Sequence, residues 1–332
     1  MRNRGRLAIA AALVLAGIAA WTTATSGASF TATKSNPSNT FTAASSFPGI
    51  RVASGSYTGN GSDNRSITGV GFQPNVVIVK SDDNSGVAEM RTSTMPSDTT
   101  KPLSGATALT ANLIQSLDAN GFTLGNDNAV NRNARAYHWV AFKTFSGDMS
   151  VGTYTGNGTS QSVAGLGFSP EYVMMLPANN QRATQRMSGM TATYQFDADA
   201  GIATGITSLD SNGFSVGNNA KVNSSGITYH YVAFNEDVDE MDTASYSGTG
   251  AGHSITGVGF QPAYVIVRAN ANRDGAHRPS AVTGTGSQLF TNTANESAGI
   301  TALQSDGFQV GTSNTVNVNG TTYDYVAFKD KP

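Results

Sequence analysis

The amino-acid sequence predicts an all-β protein in which three tandem antiparallel β-sandwich repeats of about 90 residues each follow a signal peptide and a short extended segment. Three observations predict this fold class. The chain has 332 residues, of which 37 are Gly and 10 are Pro, so residues that favour turns are frequent. Three stretches of the sequence resemble one another. Their apolar residues alternate or form short runs and do not follow the period of a long amphipathic helix.

The three repeats share an opening, an inner motif and an ending. Each opens on a Tyr-x-Gly segment, which lies at residues 56–61, 153–158 and 245–250. Each continues into Gly-x-Gly-Phe-x-Pro, at residues 69–74, 165–170 and 257–262. Each ends on Val-Ala-Phe, whose aromatic residue is Phe142, Phe234 or Phe328. We therefore place the repeats at residues 54–146, 147–237 and 238–332.

Short strands are predicted within each repeat. The apolar runs after the proline, at residues 76–79, 172–176 and 264–267, are typical of a central strand that is buried on both faces. The Asn212-Gly213 pair predicts a tight hairpin, because such turns require a positive φ. The ending at residues 229–234 predicts a closing strand whose alternate side chains face opposite sides of its sheet.

The first 28 residues are predicted to be a cleaved signal peptide. Three arginines, Arg2, Arg4 and Arg6, precede an apolar run at residues 7–21, and small residues follow. That run is shorter than the roughly 20 residues of a membrane-spanning helix, although an uncleaved anchor is the alternative. The mature chain is expected to be secreted, extracellular or on the cell surface, with no membrane span. Residues 29–53 are predicted to be a polar linker or an N-terminal strand.

Composition excludes several classes of function. Charged residues make up 13% of the chain and the formal net charge is −2, which argues against binding to nucleic acid. The chain has no Cys and therefore neither disulfides nor thiolate chemistry. The sequence contains no zinc-protease or nucleophile-elbow motif, and its scattered acids do not recur in all three repeats. We expect a non-enzymatic protein without a metal or cofactor.

Three arginines recur at matching positions and are the first candidate binding residues. Arg91, Arg186 and Arg278 each follow the inner motif by a similar distance. Arginine suits bidentate contacts to carboxylates and contacts to sugar hydroxyls. The alternative is that each guanidinium pairs with a neighbouring loop or packs its stem across the sandwich.

Aromatic pairs on the closing strands are the second set of candidates. The two members of each pair are two residues apart, so they share a face of the sheet. Such rings can stack on a sugar and donate a hydrogen bond, although an aromatic residue in a terminal strand also suits a core. The pairs are Tyr137 and Trp139, Tyr229 and Tyr231, and Tyr323 and Tyr325.

The repeat pattern over roughly residues 54 to 330 also carries a family resemblance. The order Gly-Phe-x-Pro, apolar strand, basic residue, Gly-Phe, and finally Val-Ala-Phe resembles a repeat domain of phage tail-fibre and virion-associated proteins and of bacterial surface proteins. It is more distantly similar to the H-type lectin sandwich, although Val-Ala-Phe stands where that family has Trp-Ile-Ala. The segment after residue 28 resembles the mature start of matrix proteins of the TasA and camelysin type. These resemblances imply a β-sandwich used for adhesion or assembly.

The function predicted from the sequence is adhesion or the assembly of a fibre or matrix. The expected partner is a surface glycan or another extracellular molecule, self-association included. The alternative is a multivalent, lectin-like array of carbohydrate-binding modules. A glycan-degrading enzyme with one diverged catalytic repeat is a third reading. Linked weak sites suit the first two functions, because effective concentration raises avidity without a strong single site.

Overall fold

The computed structural model describes residues 49–236 and 239–330. The predicted signal peptide and most of segment 29–53 lie outside these residues. Within them the predicted fold class is confirmed, because the chain forms antiparallel sheets with two one-turn helices, Asn128–Asn131 and Ala220–Asn223. We call the strand sets β1–β9, β10–β17 and β18–β25 repeat 1, repeat 2 and repeat 3. Their predicted boundaries stay predictions.

Repeat 1 pairs a six-stranded sheet, in the order β1-β9-β3-β4-β5-β6, with a three-stranded sheet, in the order β2-β8-β7. Its first strand begins in the segment predicted as linker or N-terminal strand. The strands are β1 (Arg51–Thr58), β2 (Arg65–Thr68), β3 (Val76–Ser81), β4 (Glu89–Thr92), β5 (Thr99–Pro102), β6 (Thr110–Ala111), β7 (Ile114–Asp118), β8 (Gly121–Leu124) and β9 (Ala136–Lys143).

Repeats 2 and 3 each pair a five-stranded sheet with a three-stranded sheet, in the same relative order. The strands of repeat 2 are β10 (Met149–Thr155), β11 (Gln161–Ala164), β12 (Tyr172–Pro177), β13 (Thr184–Met187), β14 (Tyr194–Gln195), β15 (Ile206–Asp210), β16 (Gly213–Val216) and β17 (Thr228–Phe234). The strands of repeat 3 are β18 (Met241–Ser247), β19 (His253–Thr256), β20 (Pro262–Ala269), β21 (Ala276–Pro279), β22 (Gln288–Leu289), β23 (Ile300–Gln304), β24 (Gly307–Val310) and β25 (Thr322–Lys329).

The predicted hairpin forms between β15 and β16, and its glycine is required by close packing. Gly213 has φ 147°. A Cβ atom at this position would lie 2.0 Å from the carbonyl oxygen of Val163 on the adjacent strand. The same restriction applies at Gly121 and Gly307, so each repeat needs a glycine here.

The central strands β3, β12 and β20 are buried along their whole length, as their apolar runs predicted. One face of each strand packs against the small sheet of its own repeat, which gives three separate sandwich cores. The opposite faces contribute to one further core that all three repeats share. Each large sheet is therefore buried on both sides.

Three phenylalanines from the repeated Val-Ala-Phe ending meet in the shared core. The ring centroids of Phe142 and Phe234 are 5.5 Å apart, and Phe328 lies 5.1 Å from the first and 5.0 Å from the second. Each ring is at most 2% exposed. Because each repeat supplies the same residue, the three large sheets surround one apolar centre.

A buried cation lies at each boundary between repeats. In repeat 1, the Lys80 ammonium group donates to the carbonyl oxygen of Asp83 at 3.1 Å and to that of Thr293 in repeat 3, also at 3.1 Å. In repeat 3, the Arg268 guanidinium donates at 2.9 Å to the carbonyl oxygen of Ala271 and at 3.0 Å to that of Gln195 in repeat 2. Both cations thus join two repeats through backbone acceptors, and Arg268 also forms an ion pair with Asp199 of repeat 2 at 2.8 Å.

At the boundary between repeats 1 and 2, the cation lies on β5 and not on a central strand. Leu176 occupies the position that Lys80 and Arg268 hold, opposite the closing strand. Lys101 of repeat 1 supplies the charge, and its ammonium group donates to the carbonyl oxygens of Asn179 at 2.9 Å and Gln181 at 2.7 Å. Burial lowers the pKa of Lys80 to about 8 and that of Lys101 to about 7.

Candidate functional site

The first tyrosine of each predicted aromatic pair is fully buried. The hydroxyl of Tyr137 donates to the carbonyl oxygen of Asn128 at 2.6 Å and accepts from the backbone N–H of Arg132 at 2.8 Å. Equivalent bonds hold Tyr229 and Tyr323. Each ring also stacks on the tyrosine of the opening strand, with centroids 5.2 to 5.3 Å apart. These tyrosines fix the loop before the closing strand.

The second aromatic residue of each pair is also in a sandwich core. Trp139, Tyr231 and Tyr325 are 3 to 8% exposed. Each contacts the phenylalanine of the Gly-Phe step edge to face, with centroids 5.1 to 5.8 Å apart. The predicted stacking of sugars on these six rings is therefore corrected, because each ring is at most 8% exposed. The predicted common facing of each pair is confirmed, since both members belong to the same core.

The residues between the paired aromatics face a neighbouring repeat or loop. His230 Nδ1 lies 2.8 Å from the Thr94 hydroxyl of repeat 1, and His138 Nε2 lies 3.0 Å from Asp82 Oδ1. The corresponding residue of repeat 3 is Asp324, which is 1% exposed. A Cβ atom on Gly189 of repeat 2 would lie 2.3 Å from Asp324 Oδ1. Burial raises the pKa of Asp324 to about 6.

The raised pKa of Asp324 predicts a stability effect that depends on pH. The folded protein binds a proton on Asp324 more tightly than the unfolded chain does. Protonation of Asp324 therefore contributes fully to the free energy of unfolding below about pH 4, and this contribution is lost as the pH rises through about 6. Asp324→Asn should raise the free energy of unfolding at pH 7.5 by up to about 3 kcal/mol and change it little at pH 3.5. Denaturation at both pH values measures this, with Asp330→Asn as the exposed control. Equal gains at both pH values would contradict the assignment.

The three recurring arginines join the two sheets of their own repeats. In each repeat the guanidinium donates to the backbone carbonyl oxygen of the isoleucine that begins β7, β15 or β23, an edge strand of the small sheet. Arg91 donates to Ile114, Arg186 to Ile206 and Arg278 to Ile300, at 3.3, 2.6 and 3.2 Å. Arg91 and Arg278 are 7% and 5% exposed, and Arg186 is half-buried. This geometry supports the structural alternative for the arginines.

These arginines also carry charge that the repeat does not neutralise by a close ion pair. Among the described residues, the Nε atom of each has no hydrogen-bond partner, and none of the three forms a salt bridge. Burial lowers the pKa of Arg91, Arg186 and Arg278. The cationic head is thus held by backbone carbonyls in every repeat.

Removing one arginine should destabilise the protein. We expect Arg278→Ala to lower the free energy of unfolding by about 1–3 kcal/mol, because at least three backbone carbonyls, including those of Val282 and Gly284, lose their donor. Chemical denaturation of the full chain measures the change. Arg132→Ala is the comparison, since Arg132 is exposed, and it should change the free energy of unfolding little. Wild-type stability of Arg278→Ala would contradict the structural role.

Shallow grooves open beside two of the arginines. The groove of repeat 1 has a volume of about 500 Å³ and that of repeat 3 about 250 Å³. Their linings include residues at matching positions of the two repeats. These are Gln73 and Gln261, Arg91 and Arg278, Ser93 and Ser280, and Leu117 and Leu303. The recurring arginine therefore forms part of a repeated surface feature as well as a link between sheets.

The surroundings of the groove differ in charge between repeats. The last residue of the closing strand is Lys143 in repeat 1 and Lys329 in repeat 3, and the corresponding residue of repeat 2 is Asn235. Lys143 lines the groove of repeat 1. Glu171 of repeat 2 stands where repeat 1 has Asn75, directly after the proline. Repeats 1 and 3 thus share a lysine at this position, and the Lys329 ammonium group lies 5.9 Å from the centre of the Phe260 ring. Repeat 2 has no lysine here and carries the Glu171 carboxylate.

Within residues 49–236 and 239–330, no three His, Asp or Glu side chains are grouped to hold a metal ion. None of the helices in that part of the chain is long and apolar enough to cross a membrane.

Comparison with known sequences places two repeats in one family. No curated protein sequence matches the chain significantly. A family described as a domain of unknown function, DUF7483, matches residues 47–149 and 236–331, which together form more than half of the chain. The two matches coincide with repeats 1 and 3, the repeats that have a lysine directly after the Val-Ala-Phe ending. The chain therefore belongs to the DUF7483 family.

Proposed function

We propose that this protein is exported and acts without catalysis in adhesion or in the assembly of an extracellular fibre or matrix. Its partner would be a surface glycan or another extracellular molecule, further copies of the chain included. The observation that carries this proposal is the groove that recurs at matching positions of repeats 1 and 3.

The shared core supports multivalent attachment by such grooves. Because Phe142, Phe234 and Phe328 pack against one another, the repeats are held in a fixed arrangement. A second groove on the same rigid body meets its ligand at a high effective concentration once the first is occupied. Shallow and individually weak sites then suffice for stable attachment.

Carbohydrate binding is the second candidate, and the lining of the groove favours it. The groove of repeat 1 presents the amides of Gln73 and Gln115 and the hydroxyls of Ser93 and Ser97. Amides and hydroxyls both donate and accept hydrogen bonds, which matches the hydroxyl groups of a sugar. In this case the protein would be a lectin-like array of modules.

Two measurements on the secreted chain separate these functions. Binding to a glycan array, with loss on a bulky substitution such as Ser93→Trp in the exposed rim of the groove, would support carbohydrate binding. Concentration-dependent fibres in electron microscopy, without glycan binding, would support assembly. A chain that stays monomeric and binds neither glycans nor extracellular matrix preparations would contradict the proposal.

A further inference from the structure

We infer that the groove of repeat 1 binds an anionic saccharide, a sugar polymer that bears carboxylate or sulfate groups. This inference rests on the proposed function and names the ligand class of the same site. It starts from the two cationic side chains, Arg91 and Lys143, that line one groove. Arg91 is 93% buried by its own repeat, so its charge lies at the base of the groove and Lys143 is the more accessible cation.

A third cation lies beside the first two. Arg51 pairs with Lys143 on the neighbouring strand, and its guanidinium lies 5.1 Å from the centre of the Phe72 ring. Within the described part of the chain, Lys143 forms no salt bridge and no side-chain hydrogen bond, whereas Arg91 donates only to carbonyl oxygens. Within the described residues, neither Lys143 nor Arg91 is therefore neutralised by a salt bridge to a carboxylate.

Carboxylates do lie near this groove, and they have other partners. Asp118 accepts hydrogen bonds from Ser116 at 2.7 Å and from Thr123 at 2.8 Å. Asp63 accepts from Gln115 at 2.8 Å. Asp98 is the acid whose field acts on Arg91. Asp118 and Asp63 keep their charge, but the acid that acts on Arg91 is Asp98, so a ligand anion competes with this carboxylate for Arg91, while two cations line the groove and a third flanks it.

The choice of a saccharide follows from the shape and polarity of the groove. It is open and shallow, and its lining carries amides and hydroxyls but only one large apolar side chain, Leu117. Peptide partners usually anchor an apolar or aromatic side chain in a pocket. A charged sugar polymer needs instead a cation for its anionic group and hydrogen-bonding groups for its hydroxyls, and arginine and lysine supply the cation.

Repeat 2 provides a natural contrast within the same chain. Asn235 replaces the lysine, and Glu171 adds a carboxylate at the position of Asn75. An anion should be repelled there by like charge. Repeat 3 keeps Lys329 and Arg278, although Glu240 stands where repeat 1 has Arg51. The inference therefore ranks repeat 1 first, repeat 3 second and repeat 2 last.

The test measures binding of the full secreted chain to polygalacturonate, dextran sulfate, neutral dextran and poly-glutamate. We expect binding to at least one of the two anionic saccharides and not to neutral dextran, with an affinity that falls as salt rises. Lys143→Gln should weaken it about tenfold or more, whereas Lys143→Arg should retain it. Lys221→Gln, which changes a lysine outside the grooves, should leave it unchanged.

A gain of binding tests the same inference without risk to the folding of repeat 1. The double variant Glu171→Asn with Asn235→Lys gives repeat 2 the residues of repeat 1 at these two positions, while Asp148 still stands where repeat 1 has Arg51. It should strengthen binding several-fold at equal salt. Preference for poly-glutamate would assign the groove to a peptide partner and overturn the saccharide. Binding to neutral glycans alone, insensitive to Lys143→Gln, would overturn the anionic class and leave the proposed function standing. Loss of all binding to glycans and matrix would instead reject the proposed function.

Discussion

Replacing Phe234 by Ala should lower the free energy of unfolding of the whole three-repeat body by about 3–5 kcal/mol. The ring is 1% exposed and contacts both Phe142 and Phe328, so its loss leaves a cavity where the three large sheets meet. Because all three repeats bury a face in this core, the destabilised variant should still unfold in one transition. Chemical denaturation followed by circular dichroism measures both quantities.

Phe145→Ala is the matched control for this effect. Phe145 lies just after the closing strand of repeat 1 and is 37% exposed. Its replacement should change the free energy of unfolding by less than about 1 kcal/mol, as expected away from a core. If Phe234→Ala instead melted repeat 2 alone and left the other repeats intact, the shared core would not couple the repeats.

The second large effect concerns the cation between repeats 1 and 2. Leu176→Lys alone should lower the free energy of unfolding by about 3–5 kcal/mol, because it replaces a fully buried apolar side chain with an ammonium group at a boundary that already holds the buried Lys101. Adding Lys101→Gln should restore most of this loss. The double variant then has the same two residue types as the boundary between repeats 1 and 3, where the Gln288 amide donates to the backbone carbonyl oxygen of Lys80 at 3.3 Å.

Comparison of the two single variants with the double variant gives the coupling energy directly. Recovery to within about 1 kcal/mol of the wild-type value is expected if each boundary requires one cation from either side. Losses that simply add would show that the two positions do not share a site. Lys221→Gln again serves as the control, since Lys221 lies in the short helix of repeat 2.

Much of the fold could be predicted from the sequence because the same strand and turn motifs occur in three stretches of the chain. The apolar runs at 76–79, 172–176 and 264–267 predicted strands buried on both faces, and the structure confirms this. The shared core could not be predicted in the same way. A strand that is apolar on both faces does not reveal whether its second partner is a sheet of the same repeat or another repeat.

The candidate site was predicted less well, for a physical reason. Recurrence of an aromatic residue reports that the position matters in each repeat, but packing and binding both produce recurrence. The six closing-strand aromatics proved to be core residues. Arg91 and Arg278 do line grooves, although their hydrogen bonds are structural. Lys143 was not among the predicted site residues, and the signal that could have found it is the difference at its position between repeats, Lys, Asn and Lys.

If a rigid body attaches through two weak grooves, its release from a surface should become slower as the density of immobilised ligand rises. The experiment immobilises trigalacturonate at a low and at a high density. It then measures the dissociation rate of the wild-type chain from each surface. Occupation of two grooves predicts release at least about tenfold slower at high density, and the variant with both Lys143→Gln and Lys329→Gln should lose that difference. Equal rates at the two densities for a wild-type chain that binds would contradict multivalent attachment.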